Sequence, residues 1–563
     1  MTSRHDHYDA LIIGAGIAGS ALAQGLSNQS TKSRPIRVLL LERSLAEPDR
    51  IVGELLQPGG VRALKALGIE GCLEGMDAIP AKGYCVVDSG QGRSVHIPYP
   101  GGEEGRSFHH GRFIMNLRAA AAKAPGVDVV EATVTDLIED DSGRVTGVKA
   151  TKKAATLDDE AQASARASSS ANGHANGSAA PGSEKHTYLA DVTIIADGCF
   201  SNFRSSILGK AVASHIASTK SHFVGAVLEN ATLPIPKHGT VALVKGYGPV
   251  LLYQISQNDT RMLVNVRTPL PSDLKKHILD NVMPQLPPQL HDPIRVALDK
   301  DRLRRMPNTF FPPVPQSSLS TSLNPFASNP PPGKRGAILI GDAWNMRHPL
   351  TGGGMTVALN DAVLLSRYIG QVLQSSPDAL RNWDVVEHDI LKPWWWERKG
   401  LAATINILSV ALYDLFGAED VLLEILRTGC FKYFELGGQC VSGPVSLLAG
   451  IAPSTLLLFN HFFAVAFYSI WLLFTTKSYW WLRIWEWPFL AITSVRVFWK
   501  ACVVFGPLLW TEVRWWAPSP DRLRVRGLEL ILLTALAAAS FGFVLRDGYG
   551  APSLLRYIDW IRT

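Results

Sequence analysis

An apolar run from Tyr8 to Ile13 stops at Gly14 and opens the spacing Gly14-x-Gly16-x-x-Gly19, after which Ala18, Ser20, Ala21 and Ala23 continue a run of small residues. Few patterns restrict a fold as tightly. A strand, a tight turn and a helix follow from it, and an α/β architecture is predicted. Glycines at this turn let the backbone bend sharply and approach a pyrophosphate, which the helix N-terminus holds through free N–H groups and its positive dipole end. A second strand, Arg37 to Leu41, ends in Glu42, an acid placed where a ribose hydroxyl needs an acceptor. The interval from Gly16 to Glu42 exceeds the usual ~20 residues, and the polar loop Asn28 to Pro35 accounts for the excess. Ordinary glycine-rich turns share the spacing, so its weight depends on what else the chain carries.

Two further strand ends supply that weight. Val192-Thr-Ile-Ile-Ala-Asp197-Gly198 is an apolar strand running into a turn, and Ala337-Ile-Leu-Ile-Gly341-Asp342 repeats the design. After the second comes Thr351-Gly352-Gly353-Gly354, which opens a helix predicted over Met355 to Tyr368. Taken singly, each is equally an ordinary strand-to-turn junction. In order behind a dinucleotide fingerprint they describe one flavin site, with Asp342 meeting the ribityl and pyrophosphate part of FAD. The helix N-terminus after Gly353 and Gly354 then faces the flavin ring. Only one fingerprint is present, so electrons are expected from a partner or from transient nicotinamide docking rather than from a separate NADPH-binding domain.

The longer motifs around these signals carry a family resemblance. Glu42-Arg-Ser-Leu-Ala-Glu-Pro-Asp-Arg50-Ile-Val-Gly-Glu54-Leu-Leu-Gln57-Pro-Gly-Gly60, Phe108-His-His-Gly-Arg-Phe-Ile-Met-Asn-Leu-Arg118 and Gly341-Asp-Ala-Trp-Asn-Met-Arg-His-Pro-Leu-Thr-Gly-Gly-Gly-Met355 resemble the squalene epoxidase family, in its fungal form. The resemblance runs from about Tyr8 to the C-terminal apolar region. It implies an FAD-binding Rossmann-like domain of the GR2 or aromatic-hydroxylase type, a β-sheet substrate domain and a C-terminal helical membrane-associated region. By position it implies FAD contacts at Ile17, Ala18, Glu42, Arg43, Arg50, Arg118, Val134, Asp342 and Met355. Tyr84 and Gln57 match positions lining the family's substrate and inhibitor pocket. Arg118 is also readable as a solvated helix arginine, and Tyr84 as a strand tyrosine with its ring in the core. His109, His110 and His348 are given no catalytic role, because a loop histidine is more often a structural hydrogen-bonder.

At 563 residues with 47% hydrophobic side chains, the chain exceeds one ordinary domain and can build a large core plus additional apolar surface. Cys72, Cys85, Cys199, Cys430, Cys440 and Cys502 show no CxxC pair or metal-ligand spacing and read as reduced thiols on the cytosolic side. No metal site is expected. The polar start, Met1 to Asp9, lacks the apolar stretch of a secretory signal.

The other end differs sharply. All but Trp344 and Trp383 of the fifteen tryptophans fall at or after Trp394, and Leu436 to Thr476 holds no Asp, Glu, Lys or Arg. Thr455 to Thr475 has about the ~20 apolar residues of a spanning helix, Trp487 to Thr511 is interrupted by Arg496 and Lys500, and Leu530 to Leu545 is shorter. Trp480, Trp481, Trp485 and Trp487 among Lys477 and Arg483 suit a headgroup-level belt. Arg514, Arg522, Arg524 and Arg526, with the net charge of +6, suit an anionic cytosolic leaflet. Unequal, interrupted lengths favour insertion into one leaflet, and a buried helical core of an oligomer is the alternative. No nucleic-acid motif accompanies the basic residues, and no nucleic-acid partner is expected.

The expected organisation is an FAD domain in three pieces, residues 1–78, 111–210 and 333–370. Residues 79–110 and 211–332 form the substrate domain and residues 371–563 the membrane-anchoring helices. Lys152 to Lys185, rich in Ala, Ser, Gly and Asn, reads as a disordered hairpin insertion, and Pro312 to Gly333 as a Pro- and Ser-rich connector. Apolar runs between Ser221 and Thr268 suit a sheet roofing the substrate side. The resemblance implies epoxidation of squalene to (S)-2,3-oxidosqualene with O2, through a flavin C4a hydroperoxide, in ergosterol synthesis. It also implies NADPH-cytochrome P450 reductase as electron donor and the endoplasmic reticulum membrane as location, on its cytosolic face, with lipid droplets as a second address. Two alternatives stand beside it. One is a flavin hydroxylase of another apolar or aromatic substrate, and the other a non-catalytic prenyl-lipid carrier on a flavoprotein fold, as in the GDP-dissociation-inhibitor family.

Overall fold

The structure, a computed structural model, describes residues 7–31, 33–88, 92–152, 184–209, 218–300, 303–316, 333–417, 420–475 and 485–513. The expected insertion, the connector, Trp480 and Trp481 of the tryptophan belt, the arginines from Arg514 onward and Leu530 to Leu545 lie wholly or largely outside these residues.

Two seven-stranded sheets organise the body. In the first, Val127–Glu131, Val38–Glu42, His7–Ile13 and Glu184–Ile195 run in parallel, Ala337–Leu339 joins the far half of Glu184–Ile195 in parallel, and Val145–Lys152 and Thr133–Glu139 add antiparallel strands. The register sets Ile13 opposite both Leu41 and Ile195, and Ile195 opposite Leu339. Four parallel strands therefore end level. The segments after them, with Gly14, Glu42, Asp197 and Asp342, emerge along one edge, where doubly wound folds place their ligands. The central residues of these strands, Ala10 to Ile13, Val38 to Leu41 and Ile194 to Ile195, are apolar and buried because helices cover both faces. Helix α1 (Ile17–Asn28) lies so close to its strand that a Cβ on Gly19 would stand 1.9 Å from the Gly14 carbonyl oxygen. Helix α2 (Pro58–Ala66) starts at the residue after Gln57, α3 (His110–Lys123) carries Arg118, and α4 (Gly354–Ser375) follows the glycine run.

The second sheet orders its strands Arg304–Phe310, Ser218–Glu229, Asp259–Arg267, Gly248–Gln254, Gly239–Val244, Gly83–Asp88 and Arg93–Pro98. Period-2 alternation gives it two apolar faces. Val224, Ala242, Leu252 and Val264 pack on Ile278, Ile294 and Leu298, while Tyr84, Val241, Leu251 and Leu263 point the other way.

Toward that second face lie helices α5 (Lys392–Gly417), α6 (Val421–Glu435) and α7 (Gln439–Leu448), whose Tyr413, Phe416, Phe431 and Val445 share its cluster. Helices α8 (Thr455–Thr475) and α9 (Trp487–Val513) follow. Among the described residues, three helical stretches are long and apolar enough to cross a membrane, but their settings differ: the apolar window of Trp383–Gly417 is 78% buried in the protein, that of Thr455–Thr475 39% and that of Trp487–Leu509 17%. Trp394 and Trp395, where the tryptophan-rich region begins, are core residues. Arg398 explains why: its guanidinium grips Asp361 of α4 through two 2.8 Å bonds and lies 4.3 Å over the Trp344 ring.

Candidate active site

The aligned strand ends, α1, α4 and the inner face of the second sheet enclose a cavity of about 960 Å³. Gly14, Gly16, Ile17, Ala18, Glu42, Arg43, Arg50, Arg118, Val134, Asp342, Gly354 and Met355 line it, and so does Tyr84. Gly19, Gly353 and Gln57 stand behind the wall. Gly19 serves helix-to-strand contact, and a Cβ on Gly353 would strike Ile405 Cγ2 at 2.4 Å, so that glycine seats α4 against α5. Gly14 itself has φ +103° and admits no side chain, since a Cβ would fall 2.6 Å from the Ala196 carbonyl oxygen.

Residues at the strand-end rim hold one another in place. Glu42 Oε2 accepts from the Ala15 N–H at 2.8 Å. Arg118 donates from Nε to the Ala15 carbonyl at 2.9 Å and from Nη1 to that of Ala46 at 3.0 Å, while its Nη2 lies 3.5 Å from Glu42 Oε2. Arg118 is thus a buried fastener of the fingerprint turn rather than a solvated helix arginine. Asp342 opens to the cavity; burial pushes its carboxyl upward while Arg347, Arg50 and Arg204 pull it down. Arg204 ties the two Asp-bearing turns together, donating to the carbonyls of Asp342 (2.8 Å), Ala343 (2.6 Å) and Cys199 (3.1 Å).

Gln57 sits at 0% exposure with its amide fully engaged: Nε2 donates to the Tyr84 hydroxyl and to the Thr351 carbonyl (2.7 Å), and Oε1 accepts from the Tyr99 hydroxyl (2.5 Å). This network connects the second sheet to the residue that precedes the Gly352–Gly354 run. Tyr84 also packs edge-on to Tyr99 at 5.9 Å. Beyond it the wall is apolar, with Val241, Leu251, Leu263, Met306 and Leu350. One ion pair interrupts that wall. Arg261 donates to both Glu54 oxygens at 2.7 and 2.8 Å, and the Tyr253 hydroxyl adds a 3.4 Å contact.

The histidines are structural. His110 Nδ1 bonds the Gly53 carbonyl at 2.7 Å, and burial lowers its pKa to about 4. His348 Nδ1 accepts from the Leu350 N–H at 3.2 Å, its ring stacks on Tyr413 at 4.3 Å, and burial lowers its pKa to about 3. Both stay neutral at physiological pH.

Glu54, Arg204, Arg261, Arg347 and Tyr253 carry much of this site and received no role from the sequence. Glu54 and Arg347 lie inside the long motifs, so the motif boundaries were a usable signal. For Arg204, Tyr253 and Arg261 nothing local distinguishes them.

The cavity suits a flavin dinucleotide. Helices α1 and α4 both begin without a side-chain cap and without an acid in the first turn, so their first N–H groups are open to an anionic ligand. A Cβ built on Gly16 or Gly354 meets nothing within 4 Å, leaving room for that ligand to come close.

Solved structures share the architecture. The structure of HpxO from Klebsiella pneumoniae, complexed with FAD and uric acid, superposes with a TM-score of 0.54 at 16% identity, covering 80% of this chain and 98% of that one. PqsL from Pseudomonas aeruginosa, a probable FAD-dependent monooxygenase, gives 0.52 at 17% identity over 73% and 97%. At such identities the likeness is one of fold. Sequence relatives are nearer. The squalene epoxidase of Aspergillus fumigatus is 40% identical, covering 90% of this chain and 94% of the relative. The squalene monooxygenase of Mus musculus is 40% identical over 90% and 78%, and the squalene epoxidase of Saccharomyces cerevisiae 36% identical over 90% and 96%. The squalene epoxidase family model matches residues 189–485. With the aligned strand ends, the two uncapped helices and these relatives pointing one way, the chain belongs to the squalene epoxidase family.

Proposed function

We propose that this protein is an FAD-dependent monooxygenase that epoxidises squalene to 2,3-oxidosqualene with O2 in sterol synthesis. The observation that carries the reading is one continuous cavity, polar and rich in free N–H groups at the strand ends and apolar along the inner face of the second sheet, at Val241, Leu251 and Leu263. Reduced FAD supplies the activation of O2; one oxygen atom goes to the alkene and the other leaves as water.

The chain's own residues bind, orient and exclude water. Gly14, Gly16, Ile17 and Ala18 shape the pyrophosphate cradle, with Gly19 holding the helix to it. Glu42, Arg43, Arg50, Arg118 and Val134 would hold the adenosine half, while Asp342, Gly354 and Met355, backed by Gly353, would hold the flavin half. Tyr84 orients the site through Gln57, and the apolar wall positions the alkene in a dry environment. Two electrons come from NADPH-cytochrome P450 reductase. This electron route is supported by the single dinucleotide fingerprint. Residues 1–78, 111–210 and 333–370 serve the cofactor and 79–110 and 211–332 the substrate, while within 371–563 helices α5 to α7 pack on the substrate side and α8 and α9 serve the membrane.

Anaerobic photoreduction of the yellow protein, followed by O2 and squalene, should give a product heavier by one oxygen atom. Fast peroxide release with no product would assign another substrate, and a colourless protein with an intact fold would revive the carrier reading.

Tyr84→Phe should keep FAD and lower turnover several-fold. The ring survives, but one Gln57 N–H loses its acceptor, a change of on the order of 1 kcal/mol beside the reacting atoms. Steady-state kinetics on flavin-replete protein checks this, and wild-type turnover would reduce Tyr84 to a packing residue.

The membrane reading, an endoplasmic-reticulum location on the cytosolic face with lipid droplets as a second address, is supported by α9. Its inner stripe, Val497, Ala501, Phe505 and Leu508, is buried in the body, whereas Phe489, Ile492, Val495, Trp499 and Val503 are exposed on its outer side. Two apolar faces on one helix imply a second apolar neighbour, and a lipid leaflet entered from one side fits that outer stripe. Changing Phe489, Ile492 and Val495 together to Ser should shift the protein from the microsomal pellet to the supernatant. Each large apolar side chain contributes roughly 1.5–3 kcal/mol on full burial, so three remove several orders of magnitude of partitioning. Unchanged sedimentation would place the anchor on another surface.

A further inference from the structure

Arg347 holds the flavin-side loops together. Its Nη1 donates to the carbonyls of Gly353 (3.5 Å) and Gly354 (3.4 Å) and its Nη2 to that of Asn345 (3.3 Å), which joins the turn after Asp342 to the start of α4. Its Nε reaches Asn406 Oδ1 in α5 at 3.0 Å. An amide that accepts through its oxygen has only its nitrogen left to donate. That nitrogen meets Glu512 Oε1 in α9 at 2.7 Å, and Lys399 Nζ holds the other Glu512 oxygen at 3.1 Å. Arg347, Asn406 and Glu512 are all buried, at 9, 1 and 3% exposure. One amide therefore links the last described helix, the one with the exposed apolar stripe, to the loop on which the flavin site is built.

We propose that Glu512 is a positioning residue for the cofactor: seated in the body, α9 uses it to fix the Asn406 amide, and through it Arg347 and the Gly352–Gly354 loop, so that FAD retention depends on how α9 is docked. This rests on the flavin reading above. Without the carboxylate the Asn406 amide loses the partner that sets its orientation, and Arg347 loses a fixed acceptor in a buried setting where an unmatched donor is costly.

The test titrates FAD into the flavin-stripped full chain in detergent and reads the dissociation constant from flavin fluorescence. Glu512→Leu and Asn406→Leu should each weaken FAD binding about ten-fold, and the double variant should be no weaker than the worse single one, because both break the same link. Lys500→Ala is the control. It removes the 2.6 Å ion pair with Asp420, which also holds α9 but has no path to the loop, and it should leave FAD affinity at the wild-type value. The proposal is overturned if Lys500→Ala weakens FAD as much as Glu512→Leu, if the two losses multiply, or if either single variant binds FAD normally. Should Glu512→Leu fail to fold, Asn406→Leu against Lys500→Ala decides. A wild-type chain that takes up no FAD would overturn the flavin reading, and this inference with it.

Discussion

Arg261→Met should destabilise the protein by about 3–5 kcal/mol, because it removes one partner of a buried ion pair and leaves the other carboxylate without compensation. Glu54 is 1% exposed and both of its oxygens accept from Arg261, so without the arginine its carboxylate keeps only the 3.4 Å contact from the Tyr253 hydroxyl. The pair also joins the segment after Arg50 to the strand Asp259–Arg267, which means its loss loosens the seam between the cofactor side and the sheet above it. Removing both charges by combining Arg261→Met with Glu54→Gln should recover most of the loss, since a neutral pair no longer carries a buried charge. Chemical denaturation of the three variants in the same detergent measures this. A cost below about 1 kcal/mol for the single variant would mean that Glu54 takes up a proton or finds another donor.

Asp342→Ala should lose FAD and activity together. A charge-assisted hydrogen bond contributes roughly 1.5–3 kcal/mol, which corresponds to about ten-fold to a hundred-fold in affinity. Arg347, Arg50 and Arg204 surround this carboxylate, so its removal also leaves a more positive pocket that favours a pyrophosphate. A direct bond to the cofactor at this strand end would outweigh that longer-range gain. Asp342→Asn separates the two effects: it keeps an acceptor and drops the charge, and should retain more flavin than the Ala variant. Absorbance at the flavin bands after purification reads the outcome, and normal flavin content in Asp342→Ala would remove this residue from the site.

Local chemistry made much of the flavin half legible. Strand, glycine turn and helix are a continuous stretch at Tyr8 to Ala23, and the Asp-bearing strand ends at Asp197 and Asp342 repeat one local design, so period and turn residues suffice to predict them. The apolar excess after Leu436 was equally plain, because hydropathy needs no partner to be read. Local sequence could not tell which apolar helix meets lipid and which meets protein. Helix α5 is also long and apolar enough to cross a membrane, yet Arg398 to Asp361 and the Trp344 ring bind it into the body, and those partners lie 37 and 54 residues away in sequence. The same holds for Gln57, placed by resemblance in the pocket wall and found behind it, since its three partners come from a neighbouring strand, the strap at Tyr99 and the loop at Thr351. Arg118 could also be read as a solvated helix residue, and the fingerprint turn closes over it instead. Periodicity assigns a face to a side chain, whereas burial, charge partners and the fate of each hydrogen bond are set by which distant elements the fold brings against that face.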